Sequence, residues 1–453
     1  MKSNVRIRLS TTQIIMLSFV AAIAVGSLLL WLPVSAKDGQ SVSYIDALFT
    51  ATTAGCVTGL VTLPTVSTWS VFGQIVILLL IQIGGLGVVT VMAGLMLALN
   101  RRMGLGDRIL LQDAFNLQSL AGLSVFLKKV LIGTLIVEAG GALAYMTVFI
   151  PAFGARGIWI SVFNAVSAFC NAGIDIFAED SLCGFATHPV INGVTSLLIV
   201  LGGLGYVVWW DVIRVFREAA RGVRRPLGRL TLQSKIVLSA TAVLIFGGAL
   251  LIFAFEYDNP LTIGGMSLFD KIQVSLFQSV TTRTAGFASI PQQNLTEGAS
   301  VVSLLLMFIG GSPVGTAGGV KTVTVVILAA SALATVRNRE EVSLFCRRLP
   351  SSLLRRAVAV SAISFAIVAI STLLLTAVTE ASLLDVIFET VSATATVGLS
   401  RNLTASLNTA GKWIIIATMY LGRVGPISLA IAFNFKPKNE NIVKNPIEQV
   451  SVG

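Results

Sequence analysis

Four stretches of this chain can be laid over one another: LFTATTAGCVTGL (48–60), VFNAVSAFCNAGI (162–174), LFQSVTTRTAGF (276–287) and IFETVSATATVGL (387–399). Each ends in a glycine followed by an apolar residue, and those glycines, Gly59, Gly173, Gly286 and Gly398, are spaced by 114, 113 and 112 residues. A second landmark follows each of them: IGGLG at Gly84, LGGLG at Gly202, IGGSPVG at Gly310 and LGRVG at Gly422. Two landmarks kept in step through four registers indicate four copies of one structural unit.

The medium follows from hydropathy. Of 453 residues 55% are hydrophobic and only 12% charged, the mean hydropathy is +0.87, and apolar runs of about twenty residues recur along the whole length. The chain reads as an all-α polytopic membrane protein. Eight long apolar segments are expected near 11–33, 70–99, 125–150, 188–213, 231–256, 298–336, 352–378 and 411–435. Between the members of each pair lies a short one, near 44–55, 158–170, 267–281 and 382–393. At 1.5 Å per residue these are too short to cross ~30 Å of hydrocarbon, so they read as re-entrant half-helices. The repeats are placed at 11–99, 125–216, 231–336 (with a broken second helix) and 352–435, followed by a tail at 436–453. The first run ends in VSA at Ala36, which resembles a secretory cleavage site, but its length favours a membrane helix.

With the N-terminus inside, most of the 32 basic residues fall in inner segments: Lys2–Arg8, Arg101–Lys129, Arg214–Lys235, Arg337–Arg356 and Lys436–Lys444. The net charge of +11 is thus membrane sidedness rather than a nucleic-acid patch. A unit made of helix, re-entrant half-helix and helix starts and ends on one side, so all four share an orientation. Like-oriented copies pack around an axis normal to the membrane, enclosing a central pore with pseudo-four-fold symmetry.

Backbone beyond a half-helix is tolerated at membrane depth only where protein buries it or water lines it. Here its carbonyls are expected to face the pore, and glycine, which takes φ > 0 freely, lets successive carbonyls point toward a dehydrated cation. Half-helix C-termini add partial negative charge aimed the same way. The residues three before the glycines (Cys56, Cys170, Arg283 and Ala395) should face away from the ion, with Arg283 bracing its loop against Asp270 or Glu297.

GGSPVGTAGGVKT (310–322) interrupts the sixth long segment. Pro313 forbids a regular helix through it, and an intramembrane lysine is costly unless it meets water or a partner. The segment should therefore lie against the central cavity below the ring, where Gly310, Gly311, Ser312, Pro313, Gly315, Thr316, Gly318, Gly319 and Lys321 can gate ion flow, with Arg423 of the fourth unit a fixed positive charge beside them. Buried ionisable groups are expected at Glu138, Lys321 and Arg423 alone, which form no acid, base or nucleophile set, so no enzyme is expected.

No soluble stretch reaches fifty residues, so any nucleotide-binding domain belongs to a partner. The chain has no Walker A motif, and its GGLG runs sit in membrane segments. Cys56, Cys170, Cys183 and Cys346 show no CxxC spacing and His188 stands alone, so neither a disulfide nor a zinc site is expected. An alternating-access carrier for an organic solute or a sodium-coupled symporter is the alternative, but it would show inverted rather than parallel repeats.

The four M1-P-M2 units with one glycine each, the GGSPVGTAGGVKT insert and GRVGP resemble the Trk/Ktr/HKT superfamily of potassium transporters over essentially the whole chain. The first helix follows the N-terminus without the extra helix pair of Trk subunits, so the resemblance is closest to the Ktr membrane subunit. By that similarity the selectivity filter comprises Val57, Thr58, Gly59 and Leu60; Asn171, Ala172, Gly173 and Ile174; Thr284, Ala285, Gly286 and Phe287; Thr396, Val397, Gly398 and Leu399. The resemblance implies K+ as the transported ion at these carbonyls, Na+ as a candidate activator, and a homodimer of two pores with a cytoplasmic nucleotide-binding KtrA-like ring. It also implies a bacterial plasma membrane with both termini cytoplasmic. Plant relatives with serine at the first filter glycine prefer sodium; this chain has Gly59.

Overall fold

The computed structural model describes residues 11–37, 41–99, 104, 109, 122–223, 226–339 and 341–425. It is almost wholly helical, with one two-residue hairpin, β1 (Ser343–Leu344) and β2 (Arg347–Arg348), among the described residues. Among the described residues, four unbroken helices are long and apolar enough to cross a membrane: α1 (Thr11–Trp31), α5 (Leu123–Phe153), α9 (Leu232–Glu256) and α13 (Ser351–Thr376). Each is followed by a shorter helix, α2 (Tyr44–Gly55), α6 (Arg156–Cys170), α10 (Leu268–Thr281) and α14 (Leu383–Ala395).

Three of these short helices start on the same chemistry. Ser43, Ser267 and Ser382 are N-caps whose hydroxyls accept from the backbone N–H of Asp46, Asp270 and Asp385 at 3.2 to 3.3 Å, and each also donates to the same aspartate's carboxylate. This satisfies orphan donors and places an acid against the positive end of the helix dipole.

The returning helices differ from expectation. The segments expected as continuous at 70–99 and 188–213 are bent pairs: α3 (Val71–Leu86) with α4 (Val88–Ala98), turning by 97°, and α7 (Pro189–Leu204) with α8 (Tyr206–Ala220), turning by 100°. The pivots are the last glycines of IGGLG and LGGLG, Gly87 at φ 86, ψ 134 and Gly205 at φ 86, ψ 141, a conformation outside the helical region that costs a side chain dearly. In the third unit the chain leaves helix after α11 (Glu297–Phe308) and re-enters at α12 (Thr322–Val336). In the fourth, α15 (Thr409–Val424) ends at Gly425, again at φ 87, ψ 143. The remainder of the segment expected to 435, and the tail at 436–453, lie outside the described residues.

Within each unit the first and returning helices pack through a small residue. Gly26 of α1 faces Leu80, Gly141 of α5 faces Leu198, and Gly248 of α9 faces Leu306, so closely that an added Cβ would lie 2.6 to 2.7 Å from the leucine methyl. In the fourth unit the same register is polar: Ser371 and Thr418 share a hydrogen bond of 2.8 Å. Close approach at small residues and interhelical hydroxyl bonds are what hold helices together where lipid gives no hydrophobic drive.

The seams between units are polar. Trp159 Nε1 donates to Gln74 Oε1 at 2.8 Å, joining the second unit to the first. Leu182 N donates to Ala288 O at 2.9 Å, joining second to third. Lys412 pairs with Asp46 at 2.6 Å, joining fourth to first. Arg401 pairs with Asp385 at 2.7 Å while donating across the seam to Ser300 Oγ at 2.8 Å and Gln292 O at 3.2 Å.

Removing that arginine strands several acceptors at once, so Arg401→Ala should destabilise the protein by ~3 kcal/mol, seen as a lowered Tm in detergent. Burial pushes the Asp385 carboxyl up, but the Ser382 and Arg401 bonds outweigh it and hold it below the usual carboxylate range. A depressed carboxylate contributes stability above its unfolded value and loses it as pH falls through the folded one. The Tm gap between parent and variant should therefore shrink on acidification below the ordinary carboxylate range; a gap constant with pH, or absent, contradicts the seam.

Candidate functional site: a ring of four glycine loops

The four half-helices converge tip to tip. At the end of each, the residue two before the glycine is left-handed: Val57 (φ 55), Asn171 (φ 60), Thr284 (φ 66) and Thr396 (φ 52). The glycines are also at positive φ, 99, 62, 82 and 99, while the residues between them are not. This alternation is held at a cost of ~1–2 kcal/mol for each non-glycine in that region.

The loops close on one another in cyclic order. A Cβ added to Gly59 would lie 2.6 Å from the carbonyl oxygen of Ala172, and one on Gly173 would lie 2.5 Å from that of Ala285. On Gly286 it would strike the Val397 carbonyl, and on Gly398 the Thr58 carbonyl. Each glycine thus makes room for the carbonyl of the residue just before the next glycine. The fourth returns to the first. All sixteen residues expected in this region are described, and the four glycines are brought into mutual contact.

Two further sets of residues hold the ring, and the sequence reading missed the first. A hydroxyl near the end of each half-helix ties its own loop: Thr53 Oγ1 accepts from Gly59 N at 2.9 Å, Ser167 Oγ from Ile174 N at 3.1 Å and Ser392 Oγ from Gly398 N at 3.0 Å, while Thr281 Oγ1 donates to Phe287 O at 2.7 Å. Their signal was available as a hydroxyl five or six residues before each glycine. The second set explains the second landmark. Gly84, Gly202 and Gly422 have no room for a Cβ because the carbonyls of Gly55, Phe169 and Thr394, each four residues before its loop glycine, press on them.

In the third unit the corresponding place is taken by the insert. Its hairpin is closed by Gly310 N donating to Val320 O at 3.0 Å and Thr322 N to Gly311 O at 3.0 Å. It lies directly against the ring: Thr316 Oγ1 donates to Phe169 O at 3.0 Å and Gly318 N to Thr284 Oγ1 at 3.2 Å, and Gly318 leaves no space for a Cβ beside Thr396 Oγ1. It is also pinned to the break in the second unit, with Ser312 N donating to Gly203 O at 2.9 Å, Thr316 N to Gly202 O at 3.1 Å and Tyr206 N to Val314 O at 3.0 Å. Arg423 reaches it from the fourth unit, donating to Thr316 O at 2.8 Å and to Gly84 O. Lys321 folds back onto its own loop at Ala317 O, 2.6 Å away.

Two expectations are corrected. Arg283 does not meet Asp270 or Glu297; its guanidinium donates to Gly310 O at 3.3 Å, tying the third loop to the start of the insert. Nor are Glu138, Lys321 and Arg423 the full set of buried ionisable groups. Glu256 and Glu389 are wholly buried, each held by hydroxyls: Glu256 by Thr262 and Thr296, Glu389 by Ser400 and Thr404. Glu138 itself accepts from Gln82 Nε2 at 3.3 Å. Of the other residues three before the loop glycines, Cys170 packs over Gly85, and Cys56 and Ala395 are buried as well.

Residues 2–444 match the family model TrkH, described as cation transport protein. The chain belongs to the TrkH family of cation transport proteins. It is 37% identical to the Ktr system potassium uptake protein B of Bacillus subtilis, over 99% of this chain and 98% of the relative. It is 38% identical to the potassium/sodium uptake protein NtpJ of Enterococcus hirae, over 100% of this chain and 99% of that one. The crystal structure of the potassium transporter TrkH from Vibrio parahaemolyticus superposes with a TM-score of 0.73 over 96% of this chain and 86% of the other, at 16% identity, and so shares the fold. This TrkH-family chain is a multi-pass membrane transport protein, not an enzyme.

Proposed function

We propose that this chain is the potassium-translocating subunit of a gated uptake system in a bacterial plasma membrane, with both termini on the cytoplasmic side. The observation that carries the reading is the closed cyclic contact of Gly59, Gly173, Gly286 and Gly398, in which each glycine admits the next loop's carbonyl. Rings of backbone carbonyls replace the hydration shell of a cation. The filter is then Val57–Leu60, Asn171–Ile174, Thr284–Phe287 and Thr396–Leu399, with K+ as cargo and Na+ as activator. The names of the B. subtilis and E. hirae relatives support potassium, and the second supports sodium as an alternative cargo.

A side chain at Gly59 enters both a positive-φ position and the space of the Ala172 carbonyl, a strain of ~1–3 kcal/mol. Gly59→Ser should reduce the preference for rubidium over sodium by roughly tenfold in uptake by cells lacking other potassium systems. Unchanged selectivity counts against the filter.

The insert from Gly310 to Lys321 is the gate in this reading, held beneath the ring by Arg423. Deleting 312–318, or Arg423→Ala, should speed cation flux several-fold and loosen its control. If both variants behave as the parent, the insert is a structural kink.

The Ktr naming of the relatives supports a system of more than one component. The purified protein should be a homodimer that binds a nucleotide-binding ring at its cytoplasmic loops, the β1–β2 hairpin among them; size-exclusion with light scattering decides it, and a strictly monomeric particle indifferent to any partner would contradict it.

A further inference from the structure

The exposed face of α8 is used by neither the ring nor the insert. This helix leaves α7 at 100°, and two contacts fix its depth. Asp211 accepts from both the backbone N–H and the hydroxyl of Thr231, the N-cap of the spanning helix α9, at 2.9 Å. Trp210 lies under Lys129 of α5, with Nζ 5.5 Å from the ring. At Asp211 the helix therefore meets the level where α9 begins, on the side where the basic loops collect.

The outward sector is itself divided. Tyr206, Val208, Asp211 and Val215 are buried against the protein. On a 3.6-residue helix the remaining surface carries Ile213, Phe216 and Ala220 on one side and Arg214, Arg217 and Arg221 on the other. Phe216 is 70% exposed. Arg214 is paired with Asp211 and Glu218, whereas Arg217 and Arg221 form no ion pair among the described residues. An apolar strip beside free guanidinium groups, on a helix turned 100° from the apolar helix it follows, is the pattern of a helix lying in the interface.

We propose that α8 binds anionic phospholipid headgroups on the basic side of the membrane through Arg217 and Arg221, with Phe216 set among the acyl chains. Charge complementarity selects this occupant: guanidinium groups pair with phosphate in bidentate fashion, and basic residues near an anionic leaflet add attraction individually.

The test uses the full-length protein in phosphatidylcholine vesicles doped with brominated phosphatidylcholine or brominated phosphatidylglycerol, reading tryptophan quenching. The parent should be quenched more strongly by the anionic lipid, and Arg217→Gln/Arg221→Gln should lower its relative binding constant about tenfold. Arg156→Gln, an exposed arginine at the opposite membrane face, should leave the preference intact. Equal quenching by both lipids, no loss in the double variant, or the same loss in Arg156→Gln overturns the proposal. So does a double variant that keeps its lipid preference but fails to retain a soluble partner, which would assign the surface to a protein.

Discussion

Everything in this fold answers to the need to bury backbone that cannot pair with itself. At the centre of the molecule four chain segments leave helical geometry at membrane depth, where an unsatisfied peptide group costs several kcal/mol. They are covered by one another. The space that a Cβ would take on Gly59 is filled by a carbonyl of the second loop, and so around to Gly398 and the first loop, so each loop's position depends on its neighbour's. Such closure leaves the spanning helices with one task, to hold the half-helices at the axis. The glycine notches at Gly26, Gly141 and Gly248 and the polar seams at Trp159, Lys412 and Arg401 do this from outside.

The same accounting explains why the insert sits where it does. Breaking the second unit at Gly205 frees the last carbonyls of α7 and the first N–H groups of α8, the usual orphans of helix ends. The insert has the complementary deficit. Ser312 N and Thr316 N take the Gly203 and Gly202 carbonyls, and Tyr206 N takes the Val314 carbonyl. The break and the insert satisfy each other, so neither is an isolated defect in a membrane helix. Gly205 can do this because the Pro313 carbonyl occupies the place of its absent Cβ.

Much of this was legible because the half-helices repeat and are short. Expected at 44–55, 158–170, 267–281 and 382–393, they run Tyr44–Gly55, Arg156–Cys170, Leu268–Thr281 and Leu383–Ala395. The bends at Gly87 and Gly205 were not, since hydropathy reports transfer from water and not direction: GLGVVTVMAGL stays apolar straight through its 97° turn. The final glycine of each landmark was the available sign. Arg283 was given an acidic partner because opposite charge is the simplest remedy for a buried cation, yet the carbonyl of Gly310 was nearer. The burial of Glu256 and Glu389 was not legible, because a carboxylate held by hydroxyls and, at Glu256, by the Asn259 amide leaves no charge pattern in a sequence.

Arg423 and Lys321 form no ion pair among the described residues and instead use main-chain oxygens: Thr316 and Gly84 for the arginine, Ala317 for the lysine. Carboxylate partners would have fixed both cations in place by strong pairing, leaving little to move. Carbonyl partners hold them more weakly and tie their positions to the insert itself. On the reading proposed above, the same bonds that keep the insert under the ring also draw its oxygens away from a passing ion while leaving positive charge beneath the filter. An insert that moved away from Arg423 would release the Thr316 carbonyl in the same step. The obstruction would then be lifted by one displacement while Arg423 kept its charge, and a segment with five glycines among residues 310–321, with few side chains to repack, suits the position.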